Sequence, residues 1–180
     1  MDYLPLFFKV EADKVLLIGG GTTGTRKARL LFKAGAHLTV VAPIISSELK
    51  DALAQHDGNW RCRTFEPQDM DGARLVVAAT SNSALNAEIS ALARARSIPV
   101  NVVDSPELCT YIFPSIVDRS PLVVAISSSG RSPVLARLLR RKIEALIPAA
   151  YGNLAEFAGK MRARVKRGIA DESRRRLFWE

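Results

Sequence analysis

The sequence predicts an α/β fold: a parallel sheet with helices on both faces, followed by a small α+β region and a basic helical region. Three observations carry that expectation. Short apolar runs alternate with helical patterns over the first hundred residues. A glycine-rich loop joins the first apolar run to the first helical pattern. Near residue 120, two strand-like runs are separated by only Arg119 and Ser120, the spacing of a hairpin and not of a crossover.

The elements follow in order. KVLLI (14–18) is a short apolar run ending in glycines, as a buried strand does. Residues 22–34 read as a helix with Ala28, Leu31 and Phe32 inward and Gly35 as its stop. HLTVVAP (37–43) is a second strand closed by Pro43, and SSELKDALAQH a helix behind a serine cap. WRCRTF (60–65) alternates as a third strand, RLVVAAT (74–80) is a fourth, SALNAEISALARARS (83–97) an amphipathic helix, and PVNVVD (99–104) a fifth strand. The runs YIFPSIVD and PLVVAISSS form the hairpin. A helix follows with Ser132 as N-cap, Pro133 in its first turn and Pro148 at its end. The expected organisation is 1–112, 113–146 (hairpin plus helix) and 147–180 (basic and helical). The last residues, RRRLFWE, carry no stop signal, so the natural chain is expected to continue.

A hydrophobic fraction of 48% and a charged fraction of 24% suit an ordinary globular core and exclude disordered and low-complexity classes. The start, MDYLPLFFKVEADK, lacks the pattern of a signal peptide, and no apolar run approaches the roughly 18 residues of a membrane span. Cys62 and Cys109 cannot make a disulfide framework, so a reducing cytoplasm is expected. The net charge of +8 is uneven: residues 1–130 carry 13 basic and 13 acidic side chains, residues 131–180 carry 13 and 5. A basic C-terminal third suits a polyanionic partner or a solvated helical face. Residues 160–176 have no interleaved aromatics, so no nucleic acid is expected, and no membrane.

Gly19-Gly20-Gly21-Thr22-Thr23-Gly24 fits G-x-G-x-x-G between a strand and a helix, the context that makes the motif a dinucleotide site. Gly19 permits the tight turn, Gly21 lets a pyrophosphate approach, and Gly24 lets helix and sheet pack closely. The N–H groups of Thr22 and Thr23 would point at phosphate. Such sites usually place a carboxylate about 20 residues on for the ribose hydroxyl. Here the second strand ends Val41-Ala42-Pro43-Ile44, which leaves NAD and NADP equally open on chemistry. His37, His56, Cys62 and Cys109 show no metal-ligand spacing, so no resident metal is expected. Cys62 reads as strand packing and Cys109 as a small buried hydrophobe.

The stretches LPLFFKV, LLIGGGTTGTRKARLLFKAGAHLTVVAP and NVVDSPELCTYIFPSIVDRSPLVVAISSSGRSPVLARLLRRKIE resemble the N-terminal half of siroheme synthase, the precorrin-2 dehydrogenase and sirohydrochlorin ferrochelatase family. The resemblance covers most of residues 3–146, and the segment from NVVD onward is its specific part. It implies a Rossmann-like NAD-binding domain, then a dimerisation region. It further implies NAD as hydride acceptor, precorrin-2 as donor, ferrous iron as a substrate, and a homodimer with the tetrapyrrole bound between nucleotide domain and dimerisation region. In many members a uroporphyrinogen III methyltransferase follows.

Matched residue by residue, the resemblance puts the family's key carboxylate at Asp104, which ends the fifth predicted strand, where a general base could take the proton that accompanies hydride removal. The competing role for Asp104 is to cap the turn before Ser105-Pro106. Nucleotide contacts map to Gly19, Gly21, Thr22, Thr23, Pro43 and Ile44. Thr80, with Ser81, ends the fourth strand as a further contact, and Asn86 reads as a helix-face packing residue. The basic region offers Arg131, Arg137, Arg140 and Arg141 to the substrate's carboxylates. Ser127, Ser128 and Ser129 precede a helix N-terminus that can hold a carboxylate, and the resemblance raises Ser128 as a phosphoserine. The alternative function is an NAD-sensing regulatory module without catalysis, which would need no base at Asp104.

Overall fold

A computed structural model describes residues 1–180 and divides them into two compact units, residues 1–113 and 114–180. The first holds β1 (Lys14–Ile18), α1 (Thr22–Lys33), β2 (His37–Val41), α2 (Ser47–Gln55), β3 (Asn59–Arg61), β4 (Leu75–Ala78), α3 (Ser83–Ala95) and β5 (Val100–Val102). The strands form one parallel sheet in the order β3-β2-β1-β4-β5, the doubly wound order of nucleotide-binding folds. Register aligns the carboxyl ends: Ile18 lies beside Val41 and Ala78, and Ala78 beside Val102.

The strands read as unbroken apolar runs because both faces are covered. Val15, Leu17, Leu38, Val40 and Val77 face one core with Ala28, Leu31 and Phe32 of α1 and Leu49 and Leu53 of α2. Leu16, Ile18, Val41, Val76, Val100 and Val102 face the other with Ile89 and Ala93 of α3. At roughly 1.5–3 kcal/mol per fully buried large aliphatic side chain, these two layers are the main stabilisation of the unit.

The third strand is shorter than WRCRTF suggests. Only Asn59–Arg61 pair with β2, and all three are exposed. The chain leaves the sheet because Asp69, in a 3-10 turn at Pro67–Met70, draws the arginines to itself. Its carboxylate is fully buried and accepts from Arg61, from both terminal nitrogens of Arg63 (2.7 and 2.8 Å) and from the Glu66 N–H (2.9 Å). Burial alone would raise the Asp69 pKa. The hydrogen bonds from Arg63, Glu66 and Arg61 outweigh it and hold the carboxyl at about 2. Cys62 is accordingly exposed and donates to the Pro43 carbonyl (3.2 Å) instead of packing in a strand.

The free edge of β5 is closed by residues 109–111. Thr110 N–H donates to Val100 O (2.8 Å), and the Val102 N–H donates to Cys109 Sγ (3.1 Å). Cys109 is therefore half-buried and hydrogen-bonded, more than a small hydrophobe, and burial raises its thiol pKa.

The second unit holds β6 (Ser115–Arg119) and β7 (Leu122–Ile126), an antiparallel hairpin, with α4 (Pro133–Leu146), α5 (Ala150–Gly168) and α6 (Glu172–Trp179). The turn residues are Ser120 and Pro121, joined by a cis bond, because Arg119 still pairs with Leu122. The Asp118 carboxylate accepts from the Ser120 N–H (2.9 Å) and hydroxyl (2.6 Å). Ser132 caps α4 as expected, its hydroxyl accepting from the Leu135 N–H. The expected regions 113–146 and 147–180 share this one unit for two reasons. Arg119 donates to the Ile147 carbonyl beyond α4 (2.9 Å). Gly152 of α5 lies so close to the hairpin turn that a Cβ would stand 2.6 Å from Arg119 O. Val134, Leu135, Leu138 and Leu139 of α4 and Leu154 and Phe157 of α5 remain exposed. No helix is long and apolar enough to cross a membrane.

Candidate functional site

The glycine loop leaves β1 and enters α1 at the carboxyl edge of the sheet, and its glycines serve different ends. Gly19 has φ +110°, and a Cβ there would meet Ala79 O at 2.3 Å. Only glycine fits, and the constraint presses the loop against the end of β4. At Gly20 a Cβ would meet Ile44 O at 2.3 Å, which fixes the stretch after β2 to the loop. At Gly24 a Cβ would stand 2.8 Å from Gly19 O, so α1 rests on the turn it leaves. Gly21 differs: its backbone is extended at φ −81°, and nothing stands within 4 Å of its Cβ position. The space there is open toward solvent.

That open position is the N-cap of α1, and no side chain caps it. The first turn contains no acidic residue. Caps from Ser46, Asn82, Ser132 and Asp171 satisfy α2, α3, α4 and α6. α5, behind Ala149, is the other helix without a side-chain cap; at α1 the N–H groups of Thr22 and Thr23 have no side-chain acceptor, and an anion beside Gly21 would supply one. Thr25 Oγ1 and Ser46 Oγ share a hydrogen bond (2.9 Å), and the Ser46 N–H donates to Gly20 O (2.9 Å). Together they hold Pro43 and Ile44, both exposed, alongside the loop. A dinucleotide fits this donor set: the backbone offers N–H groups to the pyrophosphate, and the exposed Ile44 offers an apolar surface.

Thr80 follows β4 with its hydroxyl donating to Asn86 Oδ1 (2.7 Å), while Asn86 Nδ2 donates to Thr80 O (3.0 Å). Asn86 is buried, so it fixes the Thr80 loop from within. Asp104 follows β5 with φ +58°, exposed, its carboxylate engaged in no hydrogen bond within the chain. The structure therefore brings Gly19, Gly21, Thr22, Thr23, Pro43, Ile44, Thr80 and Asp104 to one sheet edge. Ser128, Arg131 and Arg137 belong to the second unit. There Ser128 Oγ accepts from the Ser132 N–H (2.9 Å). Arg140 is paired with Glu144 (2.7 Å), whereas Arg137 and Arg141 are exposed. No group of three His, Cys, Asp or Glu stands together as metal ligands.

Sequence reasoning missed Lys27. This half-buried residue of α1 holds its ammonium 3.9 Å from the ring centroid of Phe113. Burial lowers its pKa, while the charges of Asp104 and Cys109 oppose that shift. Nothing local marks Lys27 in the sequence, since its aromatic partner is 86 residues away.

Residues 6–115 match the family model described as "Putative NAD(P)-binding", residues 119–146 the sirohaem biosynthesis protein central model, and residues 150–180 the sirohaem synthase dimerisation region. The chain belongs to the siroheme synthase family. It is 56% identical over 180 residues to the siroheme synthase of Pseudomonas entomophila, 54% to that of Azotobacter vinelandii, and 50% over 181 residues to that of Nitrosomonas eutropha. Each alignment takes in the whole of this chain, which spans only 38–39% of those relatives. A solved precorrin-2 dehydrogenase, SirC, has the same fold, with a TM-score of 0.80 at 24% identity over 97% of this chain and 86% of that one.

Proposed function

We propose that this chain oxidises precorrin-2 to sirohydrochlorin with NAD, and then inserts ferrous iron, as a substrate, into sirohydrochlorin. The supporting observation is the shared edge of the sheet. An uncapped helix N-terminus beside an open glycine, after β1, and a carboxylate without an internal partner, after β5, stand at the same carboxyl edge of the sheet on either side of β4, in a chain of the siroheme synthase family.

Each residue then has a task. The N–H groups of Thr22 and Thr23 hold the pyrophosphate, and Gly21 gives it room. Pro43 and Ile44 pack the adenosine end by shape, since no carboxylate is present there. Thr80, steadied by Asn86, borders the path toward the nicotinamide end. NAD supplies the hydride acceptor when bound. Removal of a hydride leaves a proton to be taken from the substrate, and Asp104 accepts it. Iron insertion displaces protons from the macrocycle nitrogens, and the same carboxylate receives them.

In the second unit, Ser128, Arg131 and Arg137 are assigned to carboxylates of the tetrapyrrole. A phosphate on Ser128 would add roughly two negative charges and oppose a polycarboxylate. Exposed apolar residues of α4 and α5, and the match of residues 150–180 to a dimerisation region, support a homodimer.

The test is anaerobic incubation with precorrin-2 and NAD, following the absorbance change to sirohydrochlorin, then addition of ferrous iron. A protein that binds NAD and leaves precorrin-2 unchanged refutes the dehydrogenase. Preformed sirohydrochlorin with iron and no NAD tests insertion separately.

A further inference from the structure

We propose that Lys27 anchors a carboxylate of the tetrapyrrole beside Asp104, an assignment that rests on the dehydrogenase reading above. The argument starts from where α1 puts this residue. Gly24, Lys27 and Leu31 follow one another at helical spacing, so Lys27 flanks the buried stripe and is not on the solvent face. Its neighbours Arg26 and Arg29 are exposed, and Arg29 is spent on Glu48 (3.0 Å). Lys27 has no carboxylate within ion-pair distance and no hydrogen-bond acceptor in the chain.

What holds it is a ring. The ammonium stands over Phe113 at 3.9 Å, and Phe113 meets Tyr111 edge-on at 5.4 Å, both packed against the first core. A ring face favours a cation but satisfies none of its three N–H donors. The ammonium is not sealed from water, since no side-chain nitrogen of the chain is buried without a partner, so its donors are open to an anion that displaces that water. Several other cations of this unit do have carboxylate partners: Arg61 and Arg63 at Asp69, Arg74 at Asp13, Arg96 at Asp71.

The anion is on the substrate and not on the cofactor. The pyrophosphate position at Gly21 lies more than a helical turn from Lys27 along α1. Phe113 and Tyr111 belong to the segment that closes the edge of β5, with the Tyr111 N–H 3.4 Å from Val100 O, and β5 leads to Asp104, where the reacting part of the substrate must arrive; the charge of Asp104 accordingly opposes the fall in pKa that burial imposes on Lys27. A macrocycle bearing carboxylates around its rim would present one to Lys27 as its reacting carbon approaches Asp104. Lys27 is thus a binding and orienting residue, and it takes no proton in the reaction.

The test uses Lys27→Met, which keeps the stem over Phe113 and removes the charge, with Lys27→Gln as a second neutral variant and Lys27→Arg as the charged control. Sirohydrochlorin is titrated by absorbance without NAD, NAD is titrated separately, and steady-state oxidation of precorrin-2 is recorded. Both neutral variants should bind sirohydrochlorin at least about tenfold more weakly, as loss of one charge-assisted hydrogen bond implies. The precorrin-2 KM should rise in parallel with kcat nearly unchanged, and Lys27→Arg should stay near wild type. NAD affinity should not move in any of them, which also reports that the nucleotide unit is folded. Wild-type sirohydrochlorin affinity in a folded neutral variant overturns the anchor. So does a fall in kcat with binding intact, or an equal loss in Lys27→Arg, which would indicate shape and not charge. A wild-type protein that neither binds sirohydrochlorin nor oxidises precorrin-2 overturns the functional reading and the anchor with it; a defect confined to the variants speaks to Lys27 alone.

Discussion

Replacing Gly21 by valine separates folding from nucleotide binding, because the geometry predicts opposite outcomes for the two. The residue is extended at φ −81°, a conformation valine adopts without strain, and its Cβ position has no neighbour within 4 Å. The fold should lose only the difference between glycine and valine at an N-cap, about 0.5–1 kcal/mol. The new methyl groups would occupy the space where the pyrophosphate must approach the N–H groups of Thr22 and Thr23. Loss of even one charge-assisted hydrogen bond is worth roughly 1.5–3 kcal/mol, so NAD affinity should fall at least about tenfold. The assay is a calorimetric NAD titration beside a thermal melt. A variant with a near-native melt and an unchanged titration would refute the loop as the pyrophosphate site. The informative contrast is Gly24→Ala, whose Cβ would stand 2.8 Å from Gly19 O: there the melt should suffer.

Other expectations follow from the same geometry. Asp104→Asn preserves shape, and asparagine also tolerates a positive φ, so the variant should fold and bind NAD while precorrin-2 oxidation drops about 10²–10⁴-fold; activity near wild type would leave Asp104 no role as a base. Asp69 is held at about 2 against an ordinary 3.8, so it stabilises the fold above pH 3.8 and that contribution, about 2 kcal/mol, is lost as pH falls through 2. Asp69→Asn should therefore lower the melting temperature at neutral pH by roughly 10 °C and narrow its difference from wild type in acid; the loss stays near 2 kcal/mol because Arg61 and Arg63 remain partly in water. Gly152→Ala should destabilise the second unit by about 1–3 kcal/mol, since backbone on both sides must shift, and a melt with no change would contradict the close approach of α5 to the hairpin.

The parallel sheet was legible because its strands are buried on both faces and carry their signal locally: KVLLI forms β1 from Lys14 to Ile18 as read. Two residues of the loop were legible for a similar reason. Gly19 and Gly24 each answer a backbone requirement of the same turn, and the spacing records it. Gly20 was not assigned a role, because the constraint on it is Ile44 O, which approaches only after β2 has paired with β1. The third strand was overread for the opposite reason. WRCRTF alternates, but its arginines face Asp69, and an alternating pattern cannot distinguish a pleated strand from two arginines converging on one carboxylate.

Asp104 shows what a structure adds when a sequence leaves two roles open. Capping the turn before Ser105-Pro106 and serving as a base are both ordinary uses of aspartate, and the spacing suits either. The geometry speaks against the capping role and leaves the base as the role we propose. The short 3-10 turn that follows, Pro106–Leu108, has Ser105 at its N-cap and no side-chain cap, and the Asp104 carboxylate makes no hydrogen bond in the chain. Yet the residue is held at φ +58°, a conformation that costs a non-glycine residue of order 1 kcal/mol or more. A capping aspartate would offset that cost with its own hydrogen bond. This one is held in place by the β5 edge, where Cys109 and Thr110 close the strand behind it. Strain without a local return, in a carboxylate turned out at the end of a parallel strand, fits a group whose partner is a substrate.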